Sequence, residues 1–183
     1  RSLLLILVRQ RLLPRVRPRR RRRRPSSDAP GNAARLTNVH RWLVGGALIE
    51  GPGGLLLVQN RRRSGQVDWS PPGGVIDDGE SVLEGLAREV LEETGLVVTS
   101  WEGPVYSIEA DAPGLGWTLK VEVHRALAYE GDLVVDDPDG IVVDARFVAP
   151  AVCADHLTDG HPWVREPLVE WLGERWDGTR GFG

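Results

Sequence analysis

The chain has 183 residues, 41% of them hydrophobic, which is enough for one domain with a buried core. Its single cysteine, Cys153, excludes an internal disulfide, and its formal net charge of −3 hides a strong asymmetry. Residues 1–35 contain twelve arginines and one acid, which leaves 11 basic and 25 acidic residues, a net charge of −14, in residues 36–183. We therefore expect a basic arm over 1–35 and an acidic domain that begins near Leu36.

The arm has a composition typical of a disordered segment. Six consecutive arginines, Arg19 to Arg24, repel one another and lie among prolines. The apolar run Leu3 to Val8 is much shorter than the roughly 20 residues that cross a bilayer, so no membrane partner is expected. Two interpretations stay open: an arm that contacts nucleic acid, or an extension that does not belong to the native protein. Cysteine usage fits a cytoplasmic location.

The first half of the acidic domain predicts strands that lead into one helix. A strand over "RWLVGGALIE", a turn at 51–54 and a strand over "LLLVQN" should form a hairpin. The stretch "RRRSGQVDW" is predicted as a polar loop, and "SPPGGVIDDGE" has too many prolines and glycines for a helix. From Ser81 to Glu93 the pattern is helical, and Gly95 is placed to end the helix.

The second half predicts further strands and a closing helix. Strands are expected over "LVVTSWEGPVYSIEA", "WTLKVEVHRALAY" and "ARFV", with an acidic loop, "EGDLVVDDPDGIVVD", that contains a short strand. The segment "PWVREPLVEWLGERW" predicts a helix with a stripe of large apolar residues: Trp163, Leu168, Trp171 and Leu172. Strands that come before and after a central helix in the sequence, with a further helix at the end, favour an α/β fold in which helices pack on a mixed sheet.

The predicted helix from Ser81 carries a cluster of acids. At about 100° per residue, Glu89, Glu92 and Glu93 share one face, beside an apolar stripe of Leu83, Leu86, Ala87, Val90 and Leu91. Such crowding costs a few tenths of a kcal/mol per pair, and the acids lie near the unfavourable end of the helix dipole. A divalent cation would account for the cost, because carboxylate oxygens suit Mg²⁺ or Mn²⁺. A solvated acidic surface would give the same pattern.

The residues from Gly74 to Leu96 resolve this ambiguity. They run Gly, five residues, Glu80, seven residues, Arg88-Glu89-Val90, one residue, Glu92-Glu93, one residue, Gly95-Leu96. This resembles the Nudix box, GX5EX7REUXEEXGU with U an apolar residue, at every fixed position. The resemblance to Nudix hydrolases extends over about 37–175 and implies a Nudix-type α/β/α sandwich with a mixed sheet, in which the box forms a loop, a helix and a loop.

The resemblance also implies a metal site. Glu89, Glu92 and Glu93 are the expected ligands of Mg²⁺, with Mn²⁺ as an alternative, and Glu89 and Glu93 would reach the same ion. Arg88 resembles the family arginine that steadies the carboxylates. Two further metal contacts are expected from the Gly73 carbonyl and from Glu80, while Gly74 and Gly79 should permit tight backbone turns.

Other site residues are expected outside the box. The general base is either a box glutamate or a carboxylate of the later acidic loop, where Asp139 is slightly preferred to Asp137. Arg61 lies where the family often has an arginine that touches substrate phosphate. Trp69 is expected either to stack on a base or to pack in the core.

The implied function is Mg²⁺-dependent hydrolysis of a nucleoside diphosphate linked to a moiety X. The partner is then a small-molecule nucleotide, and a homodimer stays open. The box does not show whether the substrate is an ADP-ribose-like compound, a nucleotide sugar or an oxidised nucleoside triphosphate. Pro113 lies close to the sequence position at which members that resemble ADP-ribose pyrophosphatases often carry a proline. The alternative is a non-catalytic nucleotide sensor whose basic arm binds nucleic acid.

Overall fold

A computed structural model of the protein describes residues 40–112 and 116–183. Within these ranges the chain forms nine strands and three helices. The strands are β1 (His40–Leu48), β2 (Glu50–Gly51), β3 (Gly54–Arg61), β4 (Val67–Ser70), β5 (Gly73–Val75), β6 (Val97–Ala112), β7 (Trp117–Glu130), β8 (Val142–Val148) and β9 (Arg180–Phe182). The helices are α1 (Val82–Thr94), α2 (Pro150–His156) and α3 (Pro162–Glu174). The basic arm and Pro113 lie outside the described residues.

The strands form two sheets, and the larger is mixed. Its order is β5-β1-β7-β6-β9, with β1 parallel to β7 and antiparallel to β5. In the smaller sheet, β3 pairs antiparallel with β2, β4 and β8. The predicted hairpin is therefore only partly correct: β2 and β3 form a short one, whereas β1 belongs to the other sheet. The chain changes sheets at Ile49, which is fully buried.

The helices cover the sheets from opposite sides. Leu86 and Val90 of α1 pack in one core cluster with Ala47, Ile49 and Leu56. The other large cluster joins Leu48, Leu55 and Leu57 to buried residues of the second and third helices and the loop between them: Cys153, Leu157, Leu168 and Trp171. This arrangement confirms the predicted α/β/α sandwich.

Helix α1 begins and ends where the sequence predicts. Ser81 accepts a hydrogen bond from the Glu84 N–H, and Glu84 accepts one from the Ser81 N–H, which completes a capping box. Gly95 ends the helix with φ of 73°, a left-handed conformation that glycine adopts without strain. These caps fix the direction in which the helix presents its glutamates.

Several elements differ from the prediction. The segment predicted as a polar loop contains β4. The short strand expected within the acidic segment 130–144 is the start of β8, which continues through the separately predicted strand "ARFV". The predicted stripe of α3 is wrong at Trp163, which is 41% exposed, because the helix turns that side chain away from the core. In the described part of the chain, no helix is long and apolar enough to span a membrane.

Candidate active site

The box helix buries two of its three clustered glutamates. Glu89 and Glu93 are 7% and 8% exposed, whereas Leu83 and Leu91 are 39% and 48% exposed. The predicted apolar stripe is therefore wrong at its edges, since the buried face of α1 runs through the glutamates. Burial of two carboxylates is costly unless they have partners, so their surroundings decide what they can do.

A pair of glycines explains how the helix lies so close to the sheet. Gly45 and Gly74 are partners in the β1–β5 pairing. A Cβ on Gly45 would lie 3.1 Å from the Leu86 Cβ, and one on Gly74 would lie 2.5 Å from Glu89 Oε2. The role of Gly74 thus differs from the predicted tight turn: the absence of a side chain makes room for the Glu89 carboxylate. Gly79, with φ of 96°, does occupy a turn.

Arg88 holds three carboxylates of the box together. Its Nε and Nη2 donate to the two oxygens of Glu80 at 2.9 and 2.8 Å, and its Nη1 donates to Glu89 at 2.7 Å. Glu92 lies 3.5 Å from the same Nη1. The hydrogen bonds that Arg88 donates to Glu80 and Glu89 raise its pKa above the ordinary value, and partial burial opposes this rise. One guanidinium therefore offsets the charge of several carboxylates.

Glu93 lies apart from this network and contacts the loop before the box. Its Oε2 accepts a hydrogen bond from the Gly73 N–H at 2.9 Å. Burial raises its pKa well above the ordinary value, the Gly73 bond lowers it, and the charges of Glu89, Asp137 and Glu92 raise it again. Among residues 40–112 and 116–183, no three acidic, histidine or cysteine side chains are spaced to hold a metal ion as they stand. The donor chemistry nevertheless fits a hard cation, because Glu89 and Glu93 are buried carboxylates and the charges of Glu89, Asp137 and Glu92 act on Glu93.

The later acidic loop brings Asp137, rather than Asp139, toward the box. The Asp137 carboxylate accepts hydrogen bonds from the N–H groups of Asp139, Ile141 and Val142 at 3.0, 2.7 and 2.8 Å. These bonds hold it where its charge acts on Glu93. Asp139 is exposed.

The two residues predicted to touch substrate have different surroundings. Arg61 is exposed at the end of β3. Trp69 packs against the core, with its ring 5.6 Å from that of His156 and the Arg146 guanidinium 4.8 Å from its centroid. Its contacts thus match the packing alternative.

An apolar cavity of about 110 Å³ lies beside the box. It is lined by apolar side chains of β1, β6 and β7, by Ser70, Pro71 and Gly73, and by His161, Trp163 and Val164 near the start of α3. Gly73 belongs both to this wall and to the hydrogen bond with Glu93. The cavity was not predicted, because its walls come from segments far apart in the chain.

Comparison with known proteins identifies the family. The family model of the NUDIX domain matches residues 39–172. The chain belongs to the Nudix family. An oxidized purine nucleoside triphosphate hydrolase of Danio rerio is 32% identical over 90 residues, which cover 49% of this chain and 57% of that protein. The 8-oxo-dGDP phosphatase NUDT18 of Mus musculus is 31% identical over 71 residues, 39% of this chain and 21% of that protein.

The fold of the Nudix chain is shared with solved structures. The E. coli ORF135 protein superposes with a TM-score of 0.63 at 22% identity, over 78% of this chain and 98% of that one. This likeness supports the fold alone. The regions matched in the two curated relatives cover little more than half of the fish protein and about a fifth of the mouse protein.

Proposed function

We propose that this Nudix chain hydrolyses a phosphoanhydride linkage of a nucleotide with the help of Mg²⁺, or of Mn²⁺ in its place. The observation that carries the proposal is the double role of Gly73, which hydrogen-bonds Glu93 and also lines the apolar cavity. A nucleotide with its ring in the cavity would have its phosphates beside the buried carboxylates.

The box residues supply the groups that a hard cation requires. Glu89, Glu92 and Glu93 would hold it, with Glu80 and the Gly73 carbonyl as further oxygen donors. The bound cation would offset the charge of the phosphates and lower the pKa of a coordinated water. Arg88 fixes the positions of Glu80 and Glu89, since it is the hydrogen-bond donor common to both.

Asp137 is our candidate for the additional carboxylate outside the box, in preference to Asp139. Its charge acts on Glu93, and three backbone N–H groups hold it in place. A glutamate of the box is the alternative general base.

The substrate class that we favour is a purine nucleoside triphosphate or diphosphate, in particular one with an oxidised base. The relatives from fish and mouse are named for oxidised purine nucleotides. The cavity is small and has largely apolar walls that suit a planar ring, with Trp163 and His161 at one side. A nucleotide sugar or an ADP-ribose-like compound would place its second moiety outside this cavity.

The test is a panel of nucleotides assayed with and without Mg²⁺. The panel contains 8-oxo-dGTP, 8-oxo-dGDP, dGTP, ADP-ribose, a nucleotide sugar and NADH, and the readout is the release of phosphate, pyrophosphate or monophosphate. We expect Mg²⁺-dependent turnover that is fastest with the oxidised purine nucleotides. Binding of nucleotides without turnover would instead support the non-catalytic sensor.

A further inference from the structure

The last residues of the chain are hydrogen-bonded to a strand that forms part of the cavity wall. Residues 176–182, which we call the C-terminal segment, follow α3 and end in β9. This strand pairs in parallel with residues 106–108 of β6. The Trp176 indole N–H also donates to the Val105 carbonyl at 3.0 Å. Backbone and side-chain hydrogen bonds therefore hold the segment against β6.

Two aromatic rings of the C-terminal segment pack against one buried tyrosine, Tyr106, which is only 2% exposed. The Phe182 ring lies 5.9 Å from the Tyr106 ring at an interplanar angle of 81°. The Trp176 ring lies 6.4 Å from it at 63°, and 6.3 Å from the Phe182 ring. The two contacts with Tyr106 are edge-to-face arrangements, which the quadrupoles of aromatic rings favour. The position of the Tyr106 ring thus depends on both rings of the segment.

The same tyrosine lines the apolar cavity beside the box, together with Ile108 of the same strand. Neither Trp176 nor Phe182 is among the described residues that line this cavity. A ligand bound there would therefore sense these two rings only through the wall. Because protein interiors are close-packed, removal of either ring would leave space beside Tyr106 into which its side chain can move.

We propose that Trp176 and Phe182 are positioning residues for nucleotide binding, which hold Tyr106 in the orientation that the cavity wall requires. The proposal rests on the proposed function, which places a nucleotide ring in this cavity. Without one of the two rings, Tyr106 would adopt other orientations for part of the time, and the apparent affinity would fall by the fraction of molecules that stay competent to bind. The box glutamates are not part of this aromatic cluster, so the hydrolytic step should keep its rate.

Two leucine variants of the full chain, Phe182→Leu and Trp176→Leu, test this role. KM and kcat are measured with 8-oxo-dGTP and Mg²⁺, and Kd is measured calorimetrically with the hydrolysis-resistant methylene-bridged analogue of the same nucleotide. Each variant should raise KM and Kd about three- to tenfold, the factor that one edge-to-face aromatic contact supplies. The value of kcat should stay unchanged, because the lost interaction contributes equally to the ground state and the transition state.

A conservative variant and a matched control separate positioning from general stability. Phe182→Tyr keeps an aromatic ring and should keep the wild-type KM. Phe147→Leu is the control, because the Phe147 ring stacks 6.4 Å from that of Tyr129 and packs on the other core cluster. It should lower the melting temperature without a change in KM. All rates are measured below the lowest melting temperature of the set.

The outcomes distinguish failure of this inference from failure of the proposed function. Wild-type KM and Kd in both leucine variants would overturn the positioning role, as would a lower kcat at unchanged KM or an equal rise of KM in Phe147→Leu. A chain that binds the analogue but hydrolyses no nucleotide of the panel would refute the proposed function, and a raised Kd in Phe182→Leu would then still support the positioning role. Phe182 is partly buried and lies in a three-residue strand at the edge of the sheet, so its replacement should leave the chain folded.

Discussion

Replacement of Glu93 by glutamine separates a catalytic role of the buried carboxylate from a structural one. The side chain keeps its size, and its Oε1 can still accept the Gly73 N–H that now bonds Glu93 at 2.9 Å. The negative charge alone is lost. If Glu93 is a metal ligand, turnover with Mg²⁺ should fall at least about a hundredfold, which corresponds to about 2.7 kcal/mol of transition-state stabilisation.

The metal-free stability should change in the opposite direction. Glu93 is 8% exposed, and an uncompensated buried charge costs several kcal/mol. One hydrogen bond to the charged group recovers about 2 kcal/mol of this. We therefore expect the free energy of unfolding of Glu93→Gln, measured in EDTA at neutral pH, to be about 1–2 kcal/mol higher than that of the wild-type chain. For a domain of this size the melting temperature should rise by about 3–6 °C.

The stability difference between Glu93→Gln and the wild-type chain should also depend on pH. Burial, followed by the charges of Glu89, Asp137 and Glu92, raises the pKa of Glu93 in the folded state, against the lowering by Gly73. Below the pKa of the unfolded chain, Glu93 is protonated in both the folded and the unfolded state, and its contribution to stability is complete. This contribution is lost as the pH rises through the raised pKa of the folded state. The stability difference between variant and wild type should be large at neutral pH and vanish near about pH 4.

The assay combines melting curves in EDTA across this pH range with turnover in saturating Mg²⁺. Glu166→Gln on α3 is the control, because its side chain is 68% exposed and should change neither quantity. Wild-type turnover in Glu93→Gln would refute the catalytic role, and an unchanged melting temperature at neutral pH would refute the electrostatic reasoning.

Further variants test the remaining parts of the site. Arg88→Ala should lower both turnover and metal-free stability, measured by rates and melting curves, because Glu80 and Glu89 lose their shared partner. Gly74→Ala should lower turnover, since a Cβ there would lie 2.5 Å from a Glu89 oxygen, whereas Gly79→Ala should be destabilising through its φ of 96° with a smaller effect on rate. Asp137→Asn should reduce turnover more than Asp139→Asn does. A chain that begins at Leu36 should melt and turn over as the full chain does.

The limits of the box helix could be predicted from the sequence because their signals are local. The serine and glycine that cap α1, and the spacing of its glutamates, lie within one short segment, and the structure confirms the helix limits. The fold class followed from the resemblance of residues 74–96 to the Nudix box. The burial of Glu89 and Glu93 could not be predicted in this way. A helical wheel places the buried face over the most apolar residues, whereas here Gly45 and Gly74 on two strands admit the helix at a different rotation.

The hairpin of β3 and β4 is a second feature that the sequence predicts only in part. The polar composition of residues 61–69 predicts a loop, yet β4 forms there and Asp68 is only 1% exposed. The burial is possible because Arg62 neutralises Asp68 from the same hairpin and Asn60 bonds Ser70. A charged pair and an amide can therefore occupy a strand interior, and composition alone does not reveal which polar residues are paired.

The charges in the site are distributed unevenly, and this bears on where a cation is most needed. Arg88 contacts Glu80, Glu89 and Glu92, on one side of the acidic cluster. On the other side, Glu93 is bonded by the Gly73 N–H while the charge of Asp137 acts on it. A neutral N–H offsets a carboxylate much less than a guanidinium does. We therefore expect the largest electrostatic gain from a divalent cation near Glu93, where the charge of Asp137 acts, next to the glycine that also lines the cavity.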